Sequence, residues 1–388
     1  MLNQAVNANK ASAPSLIFTD CELVNAAKEA QAQAQSTGAA SSGSAATAAP
    51  RRREVIVGGR RVKTIDVHAH CVVPETLAMS GMRITRYGHF TAEDQPGGDV
   101  TREDEKGLAD VGRRRIAEMD AAGIDVEALS INPLWYKCDR DRAAEIVRIN
   151  NDRLAEYCAN YPERFVAYAS VALQFPDLAV QQIEHAVKKL GLRGAAVGAS
   201  CAGDEFSDPK FHPFWAKCEE LGILVFIHPQ STPELANRFK GNGWLANTIG
   251  NPLDTTICLS HLIFEGTLDR FPGLKICSAH GGGFLPSYAA RSDHACRVGP
   301  DGCNPAIQLK KKPTEYLRDM YFDTLVFTPE ALRHLAAEVG SSQIVIGTDH
   351  PIPWYQDPVT HIMETPGFTD EERIAMLGGT AARLLKIG

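Results

Sequence analysis

His68 and His70, separated by one alanine, end the apolar run TIDVHAH. Alternate residues of a strand point to one face, so two imidazoles at this spacing converge, and a pair of neutral imidazoles suits a divalent ion. Packed, hydrogen-bonded histidines give the same pair, so H-x-H alone leaves both readings open. Three more polar residues close apolar runs: His228 after ILVFI, His280 after KICSA and Asp349 after QIVIGT. Each by itself reads equally as a satisfied polar group at a strand end. Together they can meet only if their strands are rolled into a ring, and there they would surround one cavity. A divalent ion in such a cavity lowers the pKa of a bound water to about 7 and polarises a carbonyl or phenol oxygen. Histidine as a residue type titrates near ~6.5, so one beside the ion can take or give a proton at neutral pH.

The elements that must position these groups are legible as alternating patterns. Short β-branched runs at 64–70, 126–131, 165–171, 193–198, 223–228, 275–280, 320–324 and 343–349 predict eight strands. Stretches with a 3.6-residue apolar stripe, at 140–160, 177–190, 209–221 and 329–339, predict helices between them. Strands that alternate with helices form a parallel sheet, and eight of them close a (β/α)8 TIM-type barrel. The competing open, doubly wound sheet is weakened because no G-x-G-x-x-G and no P-loop follows a strand. Polar insertions at 79–112, after strand one, and 229–272, after strand five, would leave the strand C-termini, where barrel enzymes build their sites. VIVGGRRV, just before strand one, reads as a strand, a Gly-Gly turn and a return strand. Residues 1–53 are expected to be an N-terminal extension or linker, and a candidate oligomer arm, because from Asn25 to Pro50 they hold few branched apolar side chains. Residues 54–388 are then the barrel domain.

Bulk properties exclude several function classes. A net charge of −7 over 388 residues gives no electrostatic reason for a nucleic-acid partner. The basic runs Arg51–Arg53 and Arg113–Arg115 are short and read as solvated faces or a linker edge. No apolar run approaches a membrane span, and the N-terminus lacks the basic start and apolar stretch of a secretory signal, so a cytoplasmic enzyme is expected. The ten cysteines contain no C-x-x-C pair and read as reduced thiols.

TIDVHAH, EMDAAGIDV, YPERF, FIHP, KICSAHGGGFLPSYAAR and IGTDHPIP together resemble the amidohydrolase superfamily, and within it the aminocarboxymuconate-semialdehyde decarboxylase family of metal-dependent carboxy-lyases. The resemblance runs from about residue 63 to the C-terminus, and its most specific part is A-H-G-G-G followed by Arg291. It implies that His68, His70, His228 and Asp349 hold one divalent ion, zinc with manganese as the alternative. Asp349 and His280 are implied to be catalytic, with His280 moving the proton. Arg291 is implied to bind a substrate carboxylate in a neighbouring subunit's site, which makes the active form a homodimer or larger. Gly198 stands where dinuclear members carry a carboxylated lysine, which favours a single ion. Gln230 replaces the family's tryptophan after the strand-five His-Pro, and the second substrate arginine is open among Arg83, Arg86 and Arg102. Trp135, Tyr136, Gln230 and His350 are further candidate substrate contacts, the aromatic pair by stacking on a planar substrate.

The implied reaction is non-oxidative decarboxylation of a small aromatic or conjugated unsaturated carboxylic acid. The same ligand set serves hydrolysis of an amide, ester or lactone, or hydration of an unsaturated acid, because function resides in the pocket rather than the barrel.

Overall fold

Strands and helices alternate along the chain as the apolar runs predict. The computed structural model describes residues 52–84, 90–92 (backbone only), 107–230, 232–352, 354 and 357–388. The strands are β1 (Ile65–His70), β2 (Val126–Ser130), β3 (Phe165–Ala169), β4 (Gly194–Val197), β5 (Leu224–Ile227), β6 (Lys275–Ser278), β7 (Tyr321–Asp323) and β8 (Ile344–Val345). They form one eight-stranded sheet in chain order, each strand parallel to its neighbours. Two isolated parallel bridges, Asp66 with Ile346 and Ala69 with His350, bring β8 back onto β1 and close a (β/α)8 barrel.

The helices that matter below are α1 (Arg113–Ala122), α2 (Arg140–Asn160), α3 (Pro176–Lys188), α4 (His212–Leu221), α5 (Asn251–Phe264), α6 (Leu285–Ser292) and α7 (Pro329–Val339). Asp139 starts α2 by accepting a hydrogen bond from the Arg142 amide at 3.0 Å, satisfying one of the free amides of the first turn. The stripe read over 209–221 opens as a 3-10 turn, Pro209–Phe211, before α4 begins. The expected hairpin ahead of β1 is present, Ile56–Val57 paired antiparallel with Arg60–Arg61.

Two apolar layers follow from the alternation of side chains along each strand. One fills the barrel interior, where Tyr168 of β3 stacks on Phe226 of β5 at 5.6 Å and an interplanar angle of 12°. The other lies between the strands and the helices, with Ile183, Trp215, Leu259 and Leu332 at 0% exposure. Each fully buried large side chain contributes about 1.5–3 kcal/mol. The interior layer is the floor on which the polar strand ends rest.

Two expectations change. Arg113 and Arg114 are exposed, but Arg115 is 1% exposed, because it shares the inward stripe of α1 with Met119 and finds a buried carboxylate, Glu127, at 2.6 Å. Not all thiols are reduced: Cys296 and Cys303 are joined as a disulfide, while Cys71, Cys138, Cys158, Cys201, Cys218, Cys258 and Cys277 are free. Of the first 53 residues only Arg52 and Arg53 are described, and they pair with Asp120 and Asp357 at 3.6 and 2.8 Å.

Candidate metal centre

His68 and His70 reach the barrel mouth because β1 is irregular. Its register against β2 shifts between Asp66 and Ala69. Such a bulge re-aims the residues that follow it. Ile65 and Val67 therefore sit in the interior apolar layer, while His68 and His70, of the opposite parity to them, also turn inward. On β5 the regular alternation suffices, since Leu224, Phe226 and His228 share a face. Asp349 lies beyond the end of β8 and has φ 61°, a left-handed backbone that short polar side chains tolerate better than most.

The four side chains converge. One donor atom from each of His68, His70, His228 and Asp349 lies within 4.8 Å of the others, and all four residues are buried. His68 Nε2 is 3.1 Å from His70 Nε2 and 3.2 Å from Asp349 Oδ1, which is itself 2.9 Å from His70 Nε2. Four ligands about 2.0 Å from a tetrahedral ion stand roughly 3.3 Å apart, which these separations approach.

The hydrogen bonds around the cluster aim lone pairs into it. His68 Nδ1 donates to Asp323 Oδ2 at 2.6 Å, since a carboxylate can only accept, and this turns His68 Nε2 into the cluster, where its lone pair is free once an ion displaces the proton. The Ser130 hydroxyl donates to the Ala69 carbonyl and accepts from His70 Nδ1, both at 3.0 Å, leaving His70 Nε2 bare. Both ring nitrogens of His228 are buried without a hydrogen-bond partner. Bare acceptors this close repel one another unless a cation lies between them. The donor set and the orphaned imidazole of His228 therefore fit a divalent ion.

The electrostatics favour positive charge at the same point. Burial disfavours a charged His68 ring, but Asp349 and Asp323 outweigh it and hold its pKa up to about 10, so without an ion a proton takes the place on Nε2 that a bound cation would take from it. Burial also opposes ionisation of Asp349, yet His68, His280 and His70 keep its carboxyl well below the usual range. Burial and the neighbouring rings push His228 well below the ordinary histidine value, so it stays neutral and able to ligate.

His280 stands beside the four. Its Nε2 is 3.8 Å from Asp349 Oδ2 and its ring centroid is 5.1 Å from His68 and 5.3 Å from His228. His280 lies two residues past the end of β6, out of step with the interior residues Cys277 and Ala279, and has a positive φ of 55°. Asp323 pins this turn by accepting the His280 amide at 3.0 Å and the Gly281 amide at 2.8 Å. The three glycines after His280 all have positive φ, and a methyl group on Gly283 would stand 2.1 Å from the Pro252 carbonyl oxygen. Close helix packing accounts for that glycine without a ligand.

The structure distributes the remaining candidates differently. Gln230 and Tyr136 flank Gly198: a Cβ there would lie 3.3 Å from Gln230 Oε1 and 3.4 Å from Tyr136 Cε2. A Cβ at Gly198 would also stand 2.9 Å from the Ser200 carbonyl oxygen, so any side chain there requires its neighbours to shift. Trp135 is 1% exposed and donates its indole N–H to the Val171 carbonyl at 2.9 Å, so it packs within the core. The His350 ring is held by Glu127 at 2.7 Å and Glu118 at 3.1 Å. Arg291 is exposed near the end of α6, a helix that also carries Tyr288 at 70% exposure. Arg83 is on the short strand Met82–Ile84, whereas Arg86 and Arg102 lie outside the described residues.

Asp323 and Arg115 were not singled out from the sequence. A lone aspartate in the apolar run MYFDT was the available signal for Asp323. Asp323→Asn is expected to weaken metal binding about 10–100-fold, because a neutral carboxamide no longer fixes the His68 tautomer. Chelator competition measures this, and unchanged affinity in the folded variant would reduce Asp323 to a structural brace.

The sequence profile of the amidohydrolase family matches residues 65–387. The chain is 31% identical over 275 residues to 2-amino-3-carboxymuconate-6-semialdehyde decarboxylase of Dictyostelium discoideum, covering 70% of this chain and 75% of that one. It is 30% identical over 335 residues to gamma-resorcylate decarboxylase of Rhizobium radiobacter, covering 83% and 98%. Among solved structures, 5-carboxyvanillate decarboxylase from Sphingomonas paucimobilis superposes with a TM-score of 0.75 at 26% identity, over 84% of this chain and all 100% of that one. Dihydroxybenzoic acid decarboxylase from Polaromonas sp. JS666, solved with bound manganese and 2-nitroresorcinol, gives 0.71 at 28% identity, over 84% and 97%. With the barrel, the four-ligand cluster and this extent of likeness, the chain belongs to the amidohydrolase family.

Proposed function

We propose that this chain is a metal-dependent carboxy-lyase that removes CO2, without oxidation, from a small aromatic or conjugated unsaturated carboxylic acid. The observation that carries the proposal is the cluster of bare acceptors on His68, His70, His228 and Asp349 with His280 at its edge. The decarboxylases among its relatives support the reaction class. When bound, the ion supplies a Lewis acid that orients and polarises an oxygen of the substrate. Zinc suits three imidazoles and one carboxylate, and manganese, present in the Polaromonas structure, is the other candidate.

In the reaction the C–CO2 bond breaks with its electron pair left on carbon, and that carbon takes a proton as CO2 departs. His280 is the group in place to hold and move that proton, with Asp349 Oδ2 3.8 Å from its Nε2. Asp323 fixes the loop on which His280 rides through the His280 and Gly281 amides. Tyr136 and Gln230, beside Gly198, form a wall against which a flat substrate would lie. Arg291, exposed on α6, would present its planar guanidinium to a substrate carboxylate across a subunit interface, which requires a homodimer or larger assembly.

The test is metal analysis of the purified chain together with a CO2-release screen over hydroxybenzoates and muconate-like acids. About one ion per chain is expected, with CO2 release abolished by chelation and restored by Mn2+ or Zn2+. Full turnover by metal-free protein would sink the metal assignment. A metal-loaded protein that cleaves esters or lactones and releases no CO2 would replace the decarboxylase by a hydrolase.

A further inference from the structure

The metal ligands straddle the seam at which the barrel closes. His68 and His70 belong to β1, and Asp349 follows β8, yet these two strands meet through isolated bridges rather than a continuous ladder. Main-chain bonds across the seam run from the Asp349 amide to the His68 carbonyl at 2.8 Å and from the His70 amide to the His350 carbonyl at 2.7 Å. Both bonds involve ligands or their immediate neighbours. A shift of the seam by a few tenths of an ångström therefore changes the ligand separations directly.

Arg115 of α1 lies over this seam. Its Nη1 donates to the His70 carbonyl at 2.8 Å and its Nη2 to the His350 carbonyl at 3.4 Å, so one guanidinium joins the two strand ends. Its Nε donates to Glu127 Oε2 at 2.6 Å, and Glu127 Oε1 accepts from the His350 ring at 2.7 Å. Arg115 and Glu127 are 1% and 2% exposed. Burying an ion pair costs desolvation that well-packed apolar residues would avoid, so stability alone is a poor reason to keep one here. What the pair supplies is direction: a rigid fork whose three nitrogens address three acceptors on two strands and one glutamate. A lysine at this site keeps the charge and loses the fork.

We infer that Arg115, with Glu127 as its counter-ion, is a positioning residue that fixes the spacing between the β1 and β8 metal ligands. The inference rests on the metal centre proposed above. It concerns the geometry of the apo site, so it is read from metal affinity rather than from turnover.

The experiment titrates the full chain with Zn2+ and Mn2+ against a competing chelator, for wild type, Arg115→Lys, Glu127→Gln and Ile183→Ala. The last variant opens a cavity in α3, a helix that contributes nothing to the clamp, and controls for loss of stability. Both clamp variants are expected to bind metal about 10–100-fold more weakly, as variants that disturb the groups behind a metal ligand commonly do. Ile183→Ala is expected to bind as wild type does. Wild-type affinity in a folded clamp variant, or equal weakening in Ile183→Ala, overturns the inference. If Arg115→Lys does not fold, Glu127→Gln, which keeps the side-chain shape and removes the charge, decides the question. Failure of the wild-type chain to bind either ion would instead overturn the metal centre itself.

Discussion

Asp349→Asn is expected to lower kcat/KM for CO2 release about a thousandfold and to leave purified protein with well under one ion per chain. Asp349 is the anionic member of the ligand group, and the other three ligands are imidazoles. Its carboxylate lies 2.9 Å from His70 Nε2 and 3.2 Å from His68 Nε2, so it supplies the negative charge that partly neutralises a divalent ion held among them. A catalytic ion contributes several kcal/mol of transition-state stabilisation, and each 1.4 kcal/mol is about tenfold in rate, which sets the scale of the loss. Asparagine is preferred to alanine because position 349 has φ 61°, a conformation asparagine tolerates, so backbone strain adds little. Steady-state rates and metal content measured on the same preparation decide the outcome. A variant that keeps one ion per chain and a rate within tenfold of wild type would remove Asp349 from the ligand set.

His280→Asn is expected to reduce kcat about 10²–10⁴-fold while metal content stays at the wild-type level. The contrast with Asp349→Asn is the informative part. His280 approaches Asp349 Oδ2 at 3.8 Å but is not among the four groups whose donor atoms converge, and its Nδ1 is buried without a partner. Asparagine also accepts the φ of 55° at this position and preserves the main-chain bonds to Asp323. A folded, metal-replete variant with undiminished turnover would mean that another group moves the proton. Loss of metal together with turnover would make His280 a ligand.

Much of this site was legible in the sequence because strand ends have a simple grammar. Regular alternation places His228 on the inward face with Leu224 and Phe226, and a polar residue that ends an apolar run has few places to point except the barrel mouth. The spacing of eight runs gave the barrel, and the strands lie within a few residues of the expected runs. Resemblance to the decarboxylases supplied the roles.

Other features arise only when distant segments meet. Arg115 read as one cation in an exposed run, because nothing local says that Glu127, twelve residues away, lies under the same helix. Asp323 draws no notice as one aspartate in a short apolar run, since its partners His68 and His280 are 255 and 43 residues distant. Trp135 read as a stacking surface, and the fold turns its indole toward the Val171 carbonyl instead.

The sequence by itself determined which residues could ligate a metal ion, because side-chain chemistry and strand periodicity are local properties. It also determined that the chain would alternate strand and helix around an apolar interior. Only the tertiary structure decided that His68, His70, His228 and Asp349 share one point, because that requires β8 to return to β1. It alone decided which nitrogens are bare, through Asp323 and Ser130, and how the backbone turns at His280 and Asp349, whose positive φ values no periodicity encodes. Those are long-range facts of closure and hydrogen bonding, and they exist only once the ring is complete.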